Sequence, residues 1–251
     1  MIKVAGAGRR RPGMTESEFL WYHEYVHGKI SKGSPATLRR YVQSHPFDSA
    51  FGAASDHVYQ VPFFHIDDVT EIYFDDFDGM GKCFSDPYVT GTVGPDGQYF
   101  GDPSVNMSLV AEEREYAVPN PGDGAVKVVH FLRKQDSLSL TDFFQQWQEA
   151  HEQIMHTVGV ARPLRRYVQS LQVPEGNRIL AYFGDNIVIY EGYASLWYDE
   201  SEALTSFRVY QSALEATLAD KPFFLPSQSF FLMTREVTIL DNCVENAKGE
   251  S

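Results

Sequence analysis

The 251-residue sequence predicts an α+β fold in which two βαββαβ units, joined in tandem, pack sheet to sheet around one barrel-like core. Three observations predict it. The chain repeats itself, each copy reads strand, helix, strand, strand, helix, strand, and one copy alone would leave a sheet face bare. The repeat is plainest at Leu38-Arg39-Arg40-Tyr41-Val42-Gln43-Ser44, which recurs letter for letter as Leu164-Arg165-Arg166-Tyr167-Val168-Gln169-Ser170. Phe19 and His27 match Phe143 and His151, and Pro103-Ser104 answers Pro226-Ser227. Offsets of 123 to 126 residues separate these pairs, so the halves differ by small loop insertions.

Each element follows from local pattern. The first strand spans Lys3 to Arg10, and its mirror spans Lys127 to Lys134. Thr15 followed by Glu18 is a capping box, which starts a helix. That helix carries Phe19, His23, His27 and Ile30 on one stripe by i, i+4 spacing. In the second half Ser139 or Thr141 caps a helix through Phe143, Trp147 and His151. The repeated heptapeptide alternates Leu/Arg/Tyr/Gln with Arg/Val/Ser, the period of a strand. The next strand is expected from Phe63 to Phe74, mirrored by Ile187 to Tyr198. A second helix is expected around Asp78 to Phe84 and again from Glu202 to Leu218. The last strand is expected from Val105 to Glu113 and from Gln228 to Val237.

Such a unit is ferredoxin-like: a four-stranded sheet with helices on one face only. The second copy covers the other face, which makes eight strands and one cooperative core. Val118-Pro119-Asn120-Pro121-Gly122-Asp123-Gly124 is a cluster of turn formers without periodicity. The boundaries are therefore drawn at 1–117 for the first repeat, 118–125 for the linker and 126–251 for the second repeat.

Thirty-four acidic residues against 21 basic ones give a formal net charge of -13, which disfavours phosphate backbones and anionic lipid. Neither nucleic acid nor a membrane is expected as a partner. No apolar run approaches the ~18 residues of a membrane span, so the cytoplasm is the expected location. Cys83 and Cys243 lie far apart in unlike contexts and read as two reduced thiols.

Lys3-Val4-Ala5-Gly6-Ala7-Gly8 looks at first like a dinucleotide-binding turn. It lacks the third glycine and the helix start, and its mirror Val128-Val129-His130-Phe131-Leu132 is plainly a strand. Gly6 and Gly8 are thus expected inside a strand, where they thin the wall and leave room for a ligand. His23 and His27 have the spacing of a metal-binding pair. No carboxylate or cysteine cluster completes a site in the sequence, and His23 becomes Trp147 in the second half, so no metal is expected. His27 persists as His151, which fits either a structural histidine or a general acid/base near neutral pH.

His65, Asp67, Glu71 and Tyr73 share one strand parity, although Asp67-Asp68 could hide a bulge. Inward-facing Glu71 and Tyr73 would make a polar patch in which burial raises the carboxyl pKa. Alternatively Glu71 pairs with Arg40 on a neighbouring strand. Ser195 and Trp197 replace Glu71 and Tyr73 in the second half, where His130 is a further candidate. The 18 Phe, 14 Tyr and 3 Trp suit an apolar pocket for a flat ligand, and a large core equally well.

Arg11-Pro12-Gly13-Met14-Thr15 with Phe19, Tyr22 and His27, then Arg40-Tyr41 plus Gln43, Glu71 and Ser85-Asp86-Pro87, resembles the EthD family. The second half departs from that pattern, with Ser137-Leu138 for Gly13-Met14 and Ser195 for Glu71. The resemblance implies the dimeric α+β barrel fold, here formed within one chain, with a small-molecule pocket between sheet and helices. It also implies relatives that are cofactor-free enzymes on aromatic polyketides, quinone-forming monooxygenases and muconolactone isomerase-like proteins.

The expected function is a cofactor-independent lyase that decarboxylates, dehydrates or cyclises a hydrophobic aromatic or polyketide-like molecule. His27 would be the general acid/base, Glu71 and Tyr73 would orient the substrate or stabilise an enolate, and His65 stands in reserve. The expected binding wall is His23, Tyr22, Phe63, His130, His151 and Trp197. The alternatives are a cofactor-free monooxygenase on an aromatic substrate, or a non-catalytic binder of a small molecule or haem. The chain is expected to be a monomer or a homodimer.

Overall fold

The computed structural model describes residues 1–60, 65–184 and 187–243. The first half runs β1 (Ile2–Arg10), α1 (Glu16–Trp21), a π-helical turn (Tyr22–His27), α2 (Gly28–Ser31), β2 (Arg40–Phe51), β3 (Asp68–Phe74), α3 (Phe77–Ser85), a short α4 (Gly94–Asp96) and β4 (Gly101–Tyr116). The second runs β5 (Val126–Leu132), α5 (Leu140–Met155), β6 (Arg166–Gln172), a 3-10 segment (Pro174–Phe183), β7 (Val188–Ile189), β8 (Gly192–Tyr198), α6 (Ala203–Thr217) and β9 (Phe230–Asp241). The capping box forms: Thr15 Oγ1 accepts from the Glu18 N–H at 3.2 Å, and the Thr15 N–H donates to Glu18 Oε2 at 2.8 Å.

Backbone pairing gives the strand order β4-β1-β3-β2 in the first half and β9-β5-β8-β6 in the second, antiparallel throughout. The edge strand β2 then pairs with β9, and β4 pairs with β6, so the eight strands close into a barrel. Closure removes the exposed edges that either sheet alone would present.

Strand periodicity sorts the side chains into an interior and an outer, helix-covered layer. Ala5, Ala7, Val69, Leu109, Phe131 and Phe230 face inward and pack together. At one end of this interior Lys3 and Lys127 bracket Glu71, all three about 1% exposed. Lys3 Nζ donates to Glu71 Oε1 at 2.7 Å and to Glu113 Oε1 at 2.8 Å; Lys127 Nζ bonds Glu71 Oε2 and donates to Glu236 Oε2 at 2.8 Å. Such mutual satisfaction is what permits buried charge.

The outer layer of the second half is filled by Phe143, Trp147, Phe207 and Tyr210 against Val128 and Leu196. That of the first half rests on Leu38, Phe74, Met80 and Phe84.

Three expectations change. The strand foreseen from Phe63 begins at Asp68 and keeps one register from there to Phe74, while at its start Asp68 pairs with Gly8 and the Asp67 N–H also donates to the Gly8 carbonyl at 2.9 Å; Phe63 itself lies outside the described residues. The strand foreseen from Ile187 splits, because Val188–Ile189 leaves the barrel to pair parallel with β4 while β8 starts at Gly192. The 3-10 segment Pro174–Phe183 has no counterpart among the described residues of the first half, so the repeat gave no sign of it.

Candidate functional site

A cavity of about 380 Å³ lies in the first half, between the outer face of its sheet and its helices. Val4, Gly6 and Gly8 of β1 form part of the floor, with Thr70 and Ile72 of β3. Phe19, His23 and His27 line it from the helical side, and Phe100, Tyr182 and Phe183 complete the wall. The expectation for the glycines is supported at Gly8, where a Cβ would meet nothing within 4 Å and project into open space; at Gly6 a Cβ would come 3.2 Å from Ser108 Oγ, so that glycine allows a close approach instead. In the second half the positions equivalent to Gly6 and His23 hold His130 and Trp147, both buried, and the layer is solid.

A wider helical turn brings the two histidines to the cavity. The Gly28 N–H donates to His23 O, an i to i−5 bond that defines the π turn, and such turns recur at functional sites. The imidazole centroids stand 5.7 Å apart, and the Phe100 ring packs 4.9 Å from His23 and 4.7 Å from His27. His27 Nδ1 lies 2.8 Å from Asp96 Oδ2, and Tyr22 Oη donates to Asp96 Oδ1 at 2.9 Å. Burial, helped by neighbouring His23, outweighs Asp96 and lowers the His27 pKa to about 4. His27 is therefore a neutral imidazole at pH 7, its Nδ1–H held by Asp96 and its Nε2 lone pair free to take a proton. Burial and then Asp96 push the Tyr22 phenol up to about 12, so it remains a donor that fixes the carboxylate.

Behind His27 runs a second network. His23 Nε2 lies 3.0 Å from Tyr41 Oη, and Gln43 Nε2 donates to Tyr41 Oη at 2.8 Å and to His23 O at 2.9 Å. His45 Nε2 lies 3.1 Å from Gln43 Oε1. Asp68 Oδ2 accepts from Thr70 Oγ1 at 2.6 Å, while Asp68 Oδ1 faces His23 Nδ1 at 3.5 Å. The expectation that no carboxylate accompanies the histidines is thus corrected: chain folding, which spacing does not reveal, sets Asp68 and His45 beside His23.

The expected catalytic set is divided between two compartments. Thr70 and Ile72 face the cavity, so strand parity turns Glu71 and Tyr73 into the barrel interior, on the far side of the sheet. The expected rise of the Glu71 pKa is reversed as well. Burial pushes it up, but the Lys127 and Lys3 ammoniums outweigh burial and hold the carboxyl well below the usual range. Arg40 pairs with Glu236 and Asp241 rather than with Glu71.

His65 is exposed, 3.0 Å from Asp67, and does not line the cavity. His130 is ringed edge-on by Phe207, Phe224 and Phe231, and burial lowers its pKa to about 3. His151 stacks on Tyr167 at 4.3 Å, and burial lowers its pKa to about 4. Trp197 sits under Lys127 and Arg166, at 5.2 and 4.7 Å, on the barrel side. Of the expected binding wall, His23 lines the cavity and Tyr22 supports Asp96.

Asp96, Phe100, Asp68, His45 and Tyr182 carried no sequence signal of function. Asp96 lies in Gly94-Pro95-Asp96-Gly97, which reads as a turn. Tyr41 and Gln43 stand in the repeat and among the residues of the resemblance, but the sequence assigns them no role. Haem does not suit this cavity. Phe100 closes over both imidazoles, and Arg9, the one cation among the described lining residues, is already bound to Asp102 at 2.8 Å.

Residues 11–104 match the model of the EthD domain. No curated protein matches the chain in sequence. Among solved structures, a presumed monooxygenase from Fusobacterium nucleatum superposes with a TM-score of 0.52 at 6% identity, over 94% of this chain and 91% of that one. A presumed chlorite dismutase gives 0.50 at 11%, over 95% of each chain. A dye-decolorizing peroxidase from Bacteroides thetaiotaomicron gives 0.48 at 8%, over 93% and 92%. The first two establish the α+β barrel fold along nearly the whole chain. The lyase expectation is corrected here, because these first two are named for oxidative reactions and neither for an elimination, decarboxylation or cyclisation. Among the described residues no helix is long and apolar enough to cross a membrane.

Proposed function

We propose, for a chain whose residues 11–104 are an EthD domain on a dimeric α+β barrel fold, that the first-half cavity binds a flat, largely apolar molecule with an acidic hydroxyl and promotes its oxidation by dioxygen. The observation that carries this reading is the His27–Asp96 pair at the wall of an apolar cavity. A neutral imidazole backed by a buried carboxylate is suited to take the hydroxyl proton, because Asp96 stabilises the imidazolium that forms. The resulting phenolate or enolate is electron-rich and can be oxidised. A ring CH2 becomes a carbonyl with one oxygen atom of O2, and the other leaves as water, which balances atoms and electrons. Phe100 and Phe19 supply flat apolar surface against which such a ring system packs.

The same reading covers the second half. The common strand order supports two ferredoxin-like repeats, of which the first keeps the pocket and the second has filled its own. The small-molecule partner belongs to the pocket over the first-half sheet, whose wall Tyr182 and Phe183 of the second half complete.

Oxygen uptake with a panel of polycyclic hydroxyaromatics that carry a ring CH2 tests this. His27→Ala should lower kcat/KM on any substrate found by about 10²–10⁴-fold, and Asp96→Asn by less. Wild-type uptake by His27→Ala would remove the base from its role.

A further inference from the structure

We infer that His23, His45 and Asp68 form a site for one divalent first-row transition-metal ion at the wall of the cavity. One candidate donor atom from each residue lies within 4.8 Å of the other two. His23 is 3% exposed and Asp68 5%. His23 Nδ1 and Asp68 Oδ1 are both buried without a hydrogen-bond partner, although they face each other at 3.5 Å. Two unpartnered polar atoms aimed at one spot are costly unless something occupies it.

The surrounding bonds prepare the histidines as ligands. Gln43 Nε2 donates to the His23 carbonyl, which can only accept, so the orientation of that amide is fixed. Gln43 Oε1 must then accept the Nε2–H of His45, which leaves His45 Nδ1 bare. Tyr41 Oη accepts the His23 Nε2–H in the loaded site, leaving His23 Nδ1 bare as well. Outer hydrogen bonds that hold the second ring nitrogen are the usual support of metal-binding imidazoles. Two neutral imidazoles and one carboxylate suit Zn(II), Co(II), Fe(II) or Mn(II). The register that sets Gln43 opposite Thr70 and Ser44 opposite Val69 makes His45 and Asp68 neighbours on adjacent strands, and the π turn brings His23 over them. Tetrahedral donors at ~2.0–2.1 Å from an ion stand ~3.3 Å apart, so binding draws the three together slightly. His23 and Asp68 line the cavity, so open coordination positions face a ligand there.

The second half is an internal control. It keeps Tyr167 and Gln169, bonded at 3.1 Å, yet has Trp147, Leu171 and Gly192 where the first half has His23, His45 and Asp68. All three donors are lost together while their supports remain. Trp147 fills the place: a Cβ on Gly192 would lie 2.8 Å from its ring.

The inference does not rest on proton transfer by His27. After chelation and dialysis, the full chain is titrated with Co(II) and with Zn(II), followed by the visible spectrum of bound Co(II) and by metal analysis. One equivalent per chain is expected, with affinity at least 10-fold weaker in His23→Gln and in Asp68→Asn and unchanged in His65→Gln, whose imidazole is exposed. Tyr41→Phe should weaken binding about 10–100-fold while the far-UV spectrum stays native. Failure of the wild type to bind, or equal binding by His23→Gln and Asp68→Asn, would overturn the site, and neither result bears on oxygen uptake.

Discussion

Glu71 shows how one side chain can look catalytic and serve another purpose. Its carboxylate lies between two buried ammoniums, and Tyr73 Oη donates to it at 3.1 Å. Removing the charge leaves each lysine with a single carboxylate, Glu113 for Lys3 and Glu236 for Lys127, in a dry interior. Glu71→Gln should therefore destabilise the fold by about 3–5 kcal/mol, read as a lower urea midpoint. Uptake of a cavity ligand by the protein that remains folded should be unchanged, since Glu71 faces away from it. A wild-type midpoint would show that the lysines do not depend on Glu71. The symmetric pairings around it, Lys3 with Glu113 and Lys127 with Glu236, show that the interior charges are arranged in two like sets. Glu71, with Ser195 as its counterpart, is the one member that breaks them.

Among the elements, β1 and the π turn shape the pocket. The first strand reads Gly6-Ala7-Gly8 where its counterpart reads His130-Phe131-Leu132, and on the helix-covered face Gly6 and Gly8 lack the bulk that His130 and Leu132 carry. Gly8→Phe should fill that space without disturbing the strand, because nothing stands within 4 Å of a Cβ there. Ligand affinity in equilibrium binding should fall at least 10-fold while the melting temperature holds; full retention of affinity would move the pocket elsewhere. The glycines were legible from the sequence because the repeat supplied a reference strand. The π turn was not: an i, i+4 stripe predicts that Phe19, His23 and His27 share a face, but nothing in spacing reveals the i to i−5 bond that widens the turn at His23.

The whole molecule inherits a pH dependence from its buried histidines. His27, His130 and His151 are all lowered, to about 4, 3 and 4, with burial the leading cause. Between those values and the ordinary 6.5 the unfolded chain binds protons that the folded chain refuses, so stability rises with pH across this window. Unfolding in urea at pH 7 and pH 5 should show a markedly lower midpoint at pH 5. His130→Phe should shrink that difference, because the residue lies among Phe207, Phe224 and Phe231 and bonds to nothing through Nδ1. An undiminished difference would assign the acid sensitivity to other groups. Unfolding should also occur in a single transition, since β2 with β9 and β4 with β6 tie the halves along the barrel seam. Two separable transitions would contradict that.

The sequence by itself determined the repeated strand and helix order, the capped first helix, the thinned first strand and the presence of His23 and His27 on one helical face. These are local properties, set by side-chain period, capping chemistry and the comparison of one half with the other. Only the tertiary structure decided which residues meet. Asp96 reaches His27 from the short helix α4, 69 positions away, and Asp68 and His45 come to His23 across a strand pair. Strand parity alone sent Glu71 inside the barrel rather than into the pocket. Pairing between distant segments depends on sheet register and on how helices pack over the sheet, and a single sequence carries no local mark of either.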